Sequence, residues 1–236
     1  MDKEKIKVGI SQGDINGISY EIILKTLMDN RIMDMCIPVL YGSPKVAAYH
    51  KKALNITAVT FNNCRSAGDL HPNRVNIIDC LDDRTKVELG KSTPQAGEAS
   101  LRALEKATED LKNNQIDVLV TAPVNKHNVQ GKVPDFTGHT EFLKEKFQQD
   151  DVLMLMINES LKIGVVTTHI PVSGIASALS PDKIFKMISL LHHSLKDDFL
   201  IKKPRIAVLG VNPHAGEEGL LGKEENENII PAIKKA

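Results

Sequence analysis

Short apolar runs alternate with segments of helical periodicity along most of the chain. The runs are rich in β-branched residues and predict strands at residues 6–10, 37–41, 58–61, 75–78, 117–121 and 206–209. One-sided apolar spacing, often after a Ser-Pro or Thr-Pro start, predicts helices at residues 17–28, 45–54, 94–113, 142–147 and 182–195, and another from residue 224. Such alternation is typical of an α/β fold with a mainly parallel sheet.

The second half of the chain interrupts this alternation. Residues 152–157 and 163–168 are two apolar runs joined by a short polar turn, which predicts an antiparallel pair. A stretch with glycine and proline at residues 131–138 is where we expect a domain boundary. We therefore predict one α/β domain over residues 1–135 and a second over 136–236. The second domain would be incomplete at its C-terminal end, because an amphipathic pattern is cut off there.

Composition excludes several classes of protein. The 236 residues carry 30 basic and 30 acidic side chains, aromatic residues are 4%, and tryptophan is absent, so neither a nucleic-acid stripe nor a base-stacking surface is expected. Three cysteines lie far apart in the chain, as in reduced cytosolic proteins. The longest apolar stretch is too short for a bilayer span. We expect a cytoplasmic enzyme with no nucleic-acid or membrane partner.

Two histidines follow predicted strands and are the first candidates for chemistry. His169 comes after residues 163–168, and His214 comes after residues 206–209. Ligands of open α/β sheets bind outside the carboxyl ends of the strands, and imidazole is a common ligand of divalent metals. Two imidazoles fall short of the three protein ligands usual in a catalytic zinc site, and packed or surface histidines remain the alternative. Asn212, Glu217 and Glu218 could orient His214 or simply be solvated.

The segment FTGHTEF, residues 136–142, is a second candidate site. It precedes a predicted helix whose free N–H groups could hold a phosphate, with His139 as a further donor. The alternative is a simple N-cap made by Thr137 or Thr140. Upstream, residues 121–126 (TAPVNK) end in Lys126, which could contact an anionic substrate or be solvated.

These motifs together resemble the 4-hydroxythreonine-4-phosphate dehydrogenase family of the vitamin B6 pathway. Residues 121–126, 136–142, 167–172 (TTHIPV) and 212–217 (NPHAGE) resemble that family's motifs in the same order. The resemblance implies an isocitrate/isopropylmalate dehydrogenase-like fold, with two α/β domains around a cleft and a mainly parallel sheet. It implies a homodimer with the active site at its interface.

The resemblance also implies a reaction and a set of site residues. His139 and Thr140 match substrate-binding positions, and His169 and His214 match two of three histidines that hold a divalent metal such as zinc, magnesium or cobalt. The reaction oxidises the C3 hydroxyl of 4-phosphooxy-L-threonine with NAD or NADP, and loss of carbon dioxide then gives 3-amino-2-oxopropyl phosphate. A metal would stabilise the alkoxide from which hydride leaves. No catalytic proton-transfer residue and no nicotinamide-binding residue is assigned.

The sequence departs from the family pattern in three places, one of which is Glu218, where a glycine is common. Residues 13–21 read GDINGISYE where the family has GDPAGIGPE, and the family's third metal histidine, in a C-terminal Tyr-His-Asp-Gln segment contributed across the dimer, is missing. We therefore expect a partial chain that is inactive, or nearly so, by itself. Three alternatives stay open: a dehydrogenase of 4-phosphorylated threonate or erythronate, a metal-dependent hydrolase or aldolase, and a binding protein without catalytic activity.

Overall fold

The chain forms two compact units in the computed structural model, which describes residues 5–82 and 84–236. They are Met1–Gln149 and Asp150–Ala236. The division comes later than the expected 135/136 boundary, because Phe136 and Phe142 are buried in a core of the first unit together with Leu101, Leu104 and Val129. An aromatic side chain in such a core removes a large apolar area from water. The Gly/Pro-containing stretch is therefore a loop inside a unit.

A five-stranded parallel sheet organises the first unit. The strands are β1 (Ile6–Ser11), β2 (Cys36–Gly42), β3 (Phe61–Cys64), β4 (Val75–Asp79) and β5 (Val118–Thr121). Their order across the sheet is β3-β4-β2-β1-β5, and every pairing is parallel. Every residue of the central β2 is buried, as expected for a strand covered on both faces. The prediction of a mainly parallel α/β sheet is confirmed.

The described residues of the first unit form six helices beside this sheet. They are α1 (Ser19–Leu27), α2 (Arg31–Met35), α3 (Pro44–Ala53), α4 (Pro94–Lys112), α5 (Lys126–Gln130) and α6 (His139–Lys146). The long α4 begins as predicted, with the Thr93 hydroxyl accepting the Ala96 N–H at 3.2 Å. The short α2 and α5 carry too little periodicity to be found in the sequence. No helix within residues 5–82 or 84–236 is long and apolar enough to cross a membrane.

Strand β3 lies further along the chain than residues 58–61, where the apolar pattern predicts it. It pairs in parallel with β4, with Phe61 opposite Val75, and continues through two asparagines. The Asn62 side chain donates a hydrogen bond of 2.9 Å to the buried Asn76 side chain. Amide pairing between neighbouring strands thus replaces apolar alternation, which explains why the hydrophobic pattern missed this strand.

The second unit, whose residues are all described, contains a hairpin and three α-helices. Strands β6 (Met154–Ile157) and β7 (Lys162–Val165) pair antiparallel, which confirms the predicted pair. The helices are α7 (Ile175–Ala178), α8 (Pro181–Asp197) and α9 (Ile230–Lys235), with 3-10 turns at Val172–Gly174 and Glu217–Gly219 and a π-helical turn at Glu225–Ile229. Ile184, Ile229 and Ala232 form its buried core.

The strand predicted at residues 206–209 does not form. Within residues 150–236, all of them described, the sheet consists of β6 and β7, and Leu209 is 84% exposed. A lone extended segment gains no ladder hydrogen bonds, so apolar residues by themselves do not make it a strand. The prediction that a strand directly precedes His214 is therefore wrong, whereas His169 does follow a strand, β7 (Lys162–Val165) of the antiparallel pair.

Candidate functional site

The start of α6 presents two predicted substrate residues side by side. The helix begins at His139, and its N-cap Gly138 has extended backbone with no side-chain cap. The capping predicted as the alternative for Thr137 or Thr140 is therefore absent at this helix. The first N–H groups of α6 remain available to a ligand or to water, which makes this end suited to an anion.

The imidazole of His139 lies in a half-buried position, and one of its nitrogens lacks a hydrogen-bond partner in the described part of the chain. Its ring packs edge-on against Phe136, with centroids 6.2 Å apart, and Nε2 is buried with no hydrogen-bond partner among the described residues. Burial, and next the positive charge of Lys126, lower the pKa of His139. The ring is therefore neutral near pH 7 and can hydrogen-bond a polar ligand without carrying a charge.

Lys126 approaches the same place from α5. It is the first residue of that helix, behind Asn125, whose side-chain oxygen accepts the Asn128 N–H at 3.3 Å. The ammonium nitrogen would lie 3.7 Å from a Cβ placed on Gly138, and Glu141 Oε2 would lie 3.4 Å from that same point. Helix α5 thus lies between the segment 121–126 and the Gly/Pro-containing stretch at 131–138, and it brings a cation to the start of α6.

A close contact between α4 and α5 sets the position of Lys126. A Cβ on Gly97 would lie 2.1 Å from the backbone oxygen of Asn128, so only glycine allows α5 to approach α4 this closely. The Ser92 hydroxyl donates a hydrogen bond of 2.5 Å to the Asn128 side chain, and Val129 is buried in the core behind it. This role of Gly97 cannot be read from the sequence, because a glycine inside a helical pattern carries no signal of what packs on it.

His169 lies on an exposed loop after β7. Its backbone has a φ of 56°, in the left-handed region that residues other than glycine seldom adopt. Residues held in such a conformation concentrate at ligand and active sites, although histidine tolerates it better than most.

The loop of His214 is held by a buried carboxylate. Glu225 Oε1 accepts the N–H groups of Val211 and Asn212, each at 2.9 Å. These backbone hydrogen bonds, that from Asn212 foremost, lower the pKa of Glu225. The Asn212 side chain in turn accepts the His214 N–H at 2.9 Å and donates to the Leu221 oxygen at 2.8 Å. The contact of Asn212 with His214 is thus made to the backbone of His214 and not to its imidazole ring. Glu225 could not be found in the sequence, because it lies more than ten residues from the backbone groups that it binds.

The imidazole of His214 is itself exposed. Its Nδ1 lies 3.4 Å from Glu217 Oε1, and both side chains are at least half exposed, so the contact is weak and screened by solvent. Across residues 5–82 and 84–236, no group of three or more His, Cys, Asp or Glu side chains is placed to hold a metal ion. The two histidines offer suitable donors, but they do not form a complete metal site with the other described residues.

The fold and these residues define an α/β protein of the isocitrate/isopropylmalate dehydrogenase-like class. The chain belongs to the family of the pyridoxal phosphate biosynthetic protein PdxA, whose family model matches residues 34–236. A solved structure of 4-hydroxythreonine-4-phosphate dehydrogenase from Klebsiella pneumoniae superposes with a TM-score of 0.86 at 31% identity, covering 99% of this chain and 70% of that one.

Two relatives indicate the range of activities in the family. The 4-hydroxythreonine-4-phosphate dehydrogenase of Bacteroides thetaiotaomicron is 48% identical over 236 residues, which are 100% of this chain and 65% of that protein. A protein of Oceanobacillus iheyensis, named provisionally as a D-threonate 4-phosphate dehydrogenase, is 35% identical over 100% of this chain and 71% of its own length. The chain thus spans 65% of the Bacteroides relative, and the presence of a further C-terminal segment stays a prediction.

Proposed function

We propose that this chain carries the substrate-binding residues and two metal ligands of an NAD(P)- and divalent-metal-dependent 4-hydroxythreonine-4-phosphate dehydrogenase. The substrate is 4-phosphooxy-L-threonine and the product is 3-amino-2-oxopropyl phosphate. Besides the family relationship, the observation that supports this best is the α6 start. There a neutral, half-buried His139, whose buried Nε2 lacks a hydrogen-bond partner among the described residues, adjoins Thr140 and uncapped N–H groups.

The chain's own residues bind and orient the substrate. Neutral His139 and the Thr140 hydroxyl provide hydrogen bonds, and the α6 N–H groups favour a negatively charged substituent. The overall reaction would convert the C3 hydroxyl to a ketone, with transfer of a hydride to the nicotinamide and release of the hydroxyl proton. The C1 carboxylate would then leave as carbon dioxide, and C2 would take up a proton in its place. NAD or NADP accepts the hydride, while a divalent metal such as zinc, magnesium or cobalt acts as a Lewis acid when bound.

His169 and His214 are the two proposed metal ligands. Both carry exposed imidazoles on loops of the second unit, so solvent and a metal ion can reach them. A catalytic site of this kind usually has three protein ligands. We propose that the third comes from outside this chain, at the interface of a homodimer in the cytoplasm, so that the chain by itself does not turn over substrate.

A second candidate is a dehydrogenase of 4-phosphorylated threonate. The relative from Oceanobacillus iheyensis favours it, as does the altered sequence of residues 13–21. The two substrates share the phosphate and differ at C2, which carries an amine in one and a hydroxyl in the other. A panel of both compounds at one cofactor concentration separates the two activities.

Ligand binding by this chain tests the proposal without requiring turnover. Calorimetry should show that 4-phosphooxy-L-threonine binds, and that unphosphorylated 4-hydroxythreonine binds about tenfold or more weakly because it lacks the charged group. His139→Ala should weaken binding, whereas His127→Ala, a change of an exposed histidine in α5, should not. Equal binding of the two compounds would refute the proposal, and metal-dependent turnover without nicotinamide would favour a hydrolase or aldolase.

A further inference from the structure

We propose that Lys126 is a further substrate-anchoring residue, whose ammonium group binds the substrate phosphate next to His139. This inference rests on the proposed function, since it names the group that Lys126 would hold. It concerns the first unit only, in which α5 and α6 both lie.

Lys126 makes no salt bridge with the described residues, although a carboxylate oxygen of Glu141 approaches the same point beside Gly138. The ammonium group of Lys126 has no hydrogen bond within the described part of the chain either, and the side chain is exposed. Neighbouring lysines of the first unit differ, because Lys132 pairs with Glu98 at 3.1 Å and Lys146 pairs with Glu105 at 3.7 Å. A cation next to an open helix start is therefore available to a ligand.

The ammonium group of Lys126 lies close to the segment that carries the predicted substrate residues, His139 and Thr140. The ammonium lies beside Gly138, the residue directly before His139, and a side chain at that position would lie 3.7 Å from it. Glycine at residue 138 thus leaves the space between the ammonium group and the start of α6 open. Any anion that reaches Nε2 of His139 enters the field of this lysine.

Two charged side chains lie close to Gly138, directly before His139. Lys126 comes from α5 and Glu141 from the first turn of α6, while the aromatic neighbour of the His139 ring, Phe136, is apolar. The positive charge of Lys126 lowers the pKa of His139 in addition to the effect of burial, so it acts on the ring directly. The same field would attract a phosphate dianion more strongly than a singly charged carboxylate.

Inorganic phosphate is the probe for this subsite. Phosphate titrations of the unmodified chain, followed by the His139 ring resonances in NMR spectra, should show saturable binding. Lys126→Met should weaken phosphate binding about tenfold or more, because a charge-assisted hydrogen bond is lost, and Lys126→Arg should retain most of the affinity. Lys144→Met, which removes a lysine from the same helix as His139 without touching Gly138, is the matched control and should bind like the unmodified chain.

The pKa of His139, measured in the same spectra, distinguishes the loss of a positive charge from a disturbance of the fold. Lys126→Met should raise the pKa of His139, because the nearby positive charge is gone, and Lys144→Met should leave it unchanged. A Lys126→Met variant that binds phosphate normally, or an unmodified chain that does not bind phosphate, would overturn the inference. If 4-phosphooxy-L-threonine fails to bind while phosphate binding still depends on Lys126, the proposed function fails and the phosphate subsite stands.

Discussion

Gly97→Ala is the substitution that best tests how the fold builds the site. Gly97 lies inside α4 and is buried against α5, the short helix that carries Lys126. The added methyl group would lie 2.1 Å from the Asn128 oxygen and 2.3 Å from its carbonyl carbon. Both are backbone atoms, so no side-chain rotation relieves the clash, and α5 must move away by about 1 Å.

Two opposing effects determine how much Gly97→Ala changes the free energy of unfolding. Alanine is preferred over glycine inside a helix by about 1 kcal/mol. Overpacking of a well-packed contact costs about 1–3 kcal/mol and occasionally more, and a backbone clash of this depth belongs to the upper end. The displacement would also loosen Val129, which is 1% exposed in the core beneath α5. We therefore expect the free energy of unfolding of the first unit to fall by about 2 kcal/mol.

Urea unfolding followed by circular dichroism measures the loss of stability, and NMR titration of His139 measures the displacement. The pKa of His139 should rise in Gly97→Ala, because Lys126 moves away with α5. Gly174→Ala is the matched control, since no atom lies within 4 Å of the added methyl group and its φ of −93° suits alanine. Stability equal to or above that of the unmodified chain would show that α5 does not depend on this close contact.

Three further changes test other parts of the fold. Tyr41→Phe removes a buried hydroxyl that donates to Asp110 Oδ2 at 2.8 Å, so urea unfolding should show a loss of about 1.5–3 kcal/mol; unchanged stability would contradict this. Glu225→Ala should speed hydrogen exchange of the two amides that donate to its carboxylate by about tenfold or more, and exchange at the original rate would refute its role in holding the His214 loop. Burial lowers the pKa of His50 below 6.5, so the folded state prefers the neutral ring: stability should be full above pH 6.5 and decline as the pH falls below it. His50→Gln should flatten that decline in urea titrations at several pH values, and an unaltered pH dependence would count against the burial argument.

Local motifs in the sequence identified the candidate site residues, but they did not show what surrounds those residues in the folded protein. His139 and Thr140 were found in one short segment, and they do lie together at the start of α6. Lys126 was found as an isolated cation with two open interpretations. The position of Lys126 beside Gly138 depends on α5, a helix of five residues that is too short to show helical periodicity in the sequence. It also depends on the close approach of α5 to α4 at Gly97.

The sequence by itself determined the parallel α/β sheet, its long helices and the β6–β7 hairpin, because each of these elements repeats its apolar residues with its own period. The family, too, could be inferred from motifs in order along the chain. Only the tertiary structure decided that residues 206–209 are not a strand, that two asparagines belong to β3, and that Glu225 holds the His214 loop. Strand pairing and buried hydrogen bonds join residues far apart in sequence, and a local pattern carries no information about which partner will be present.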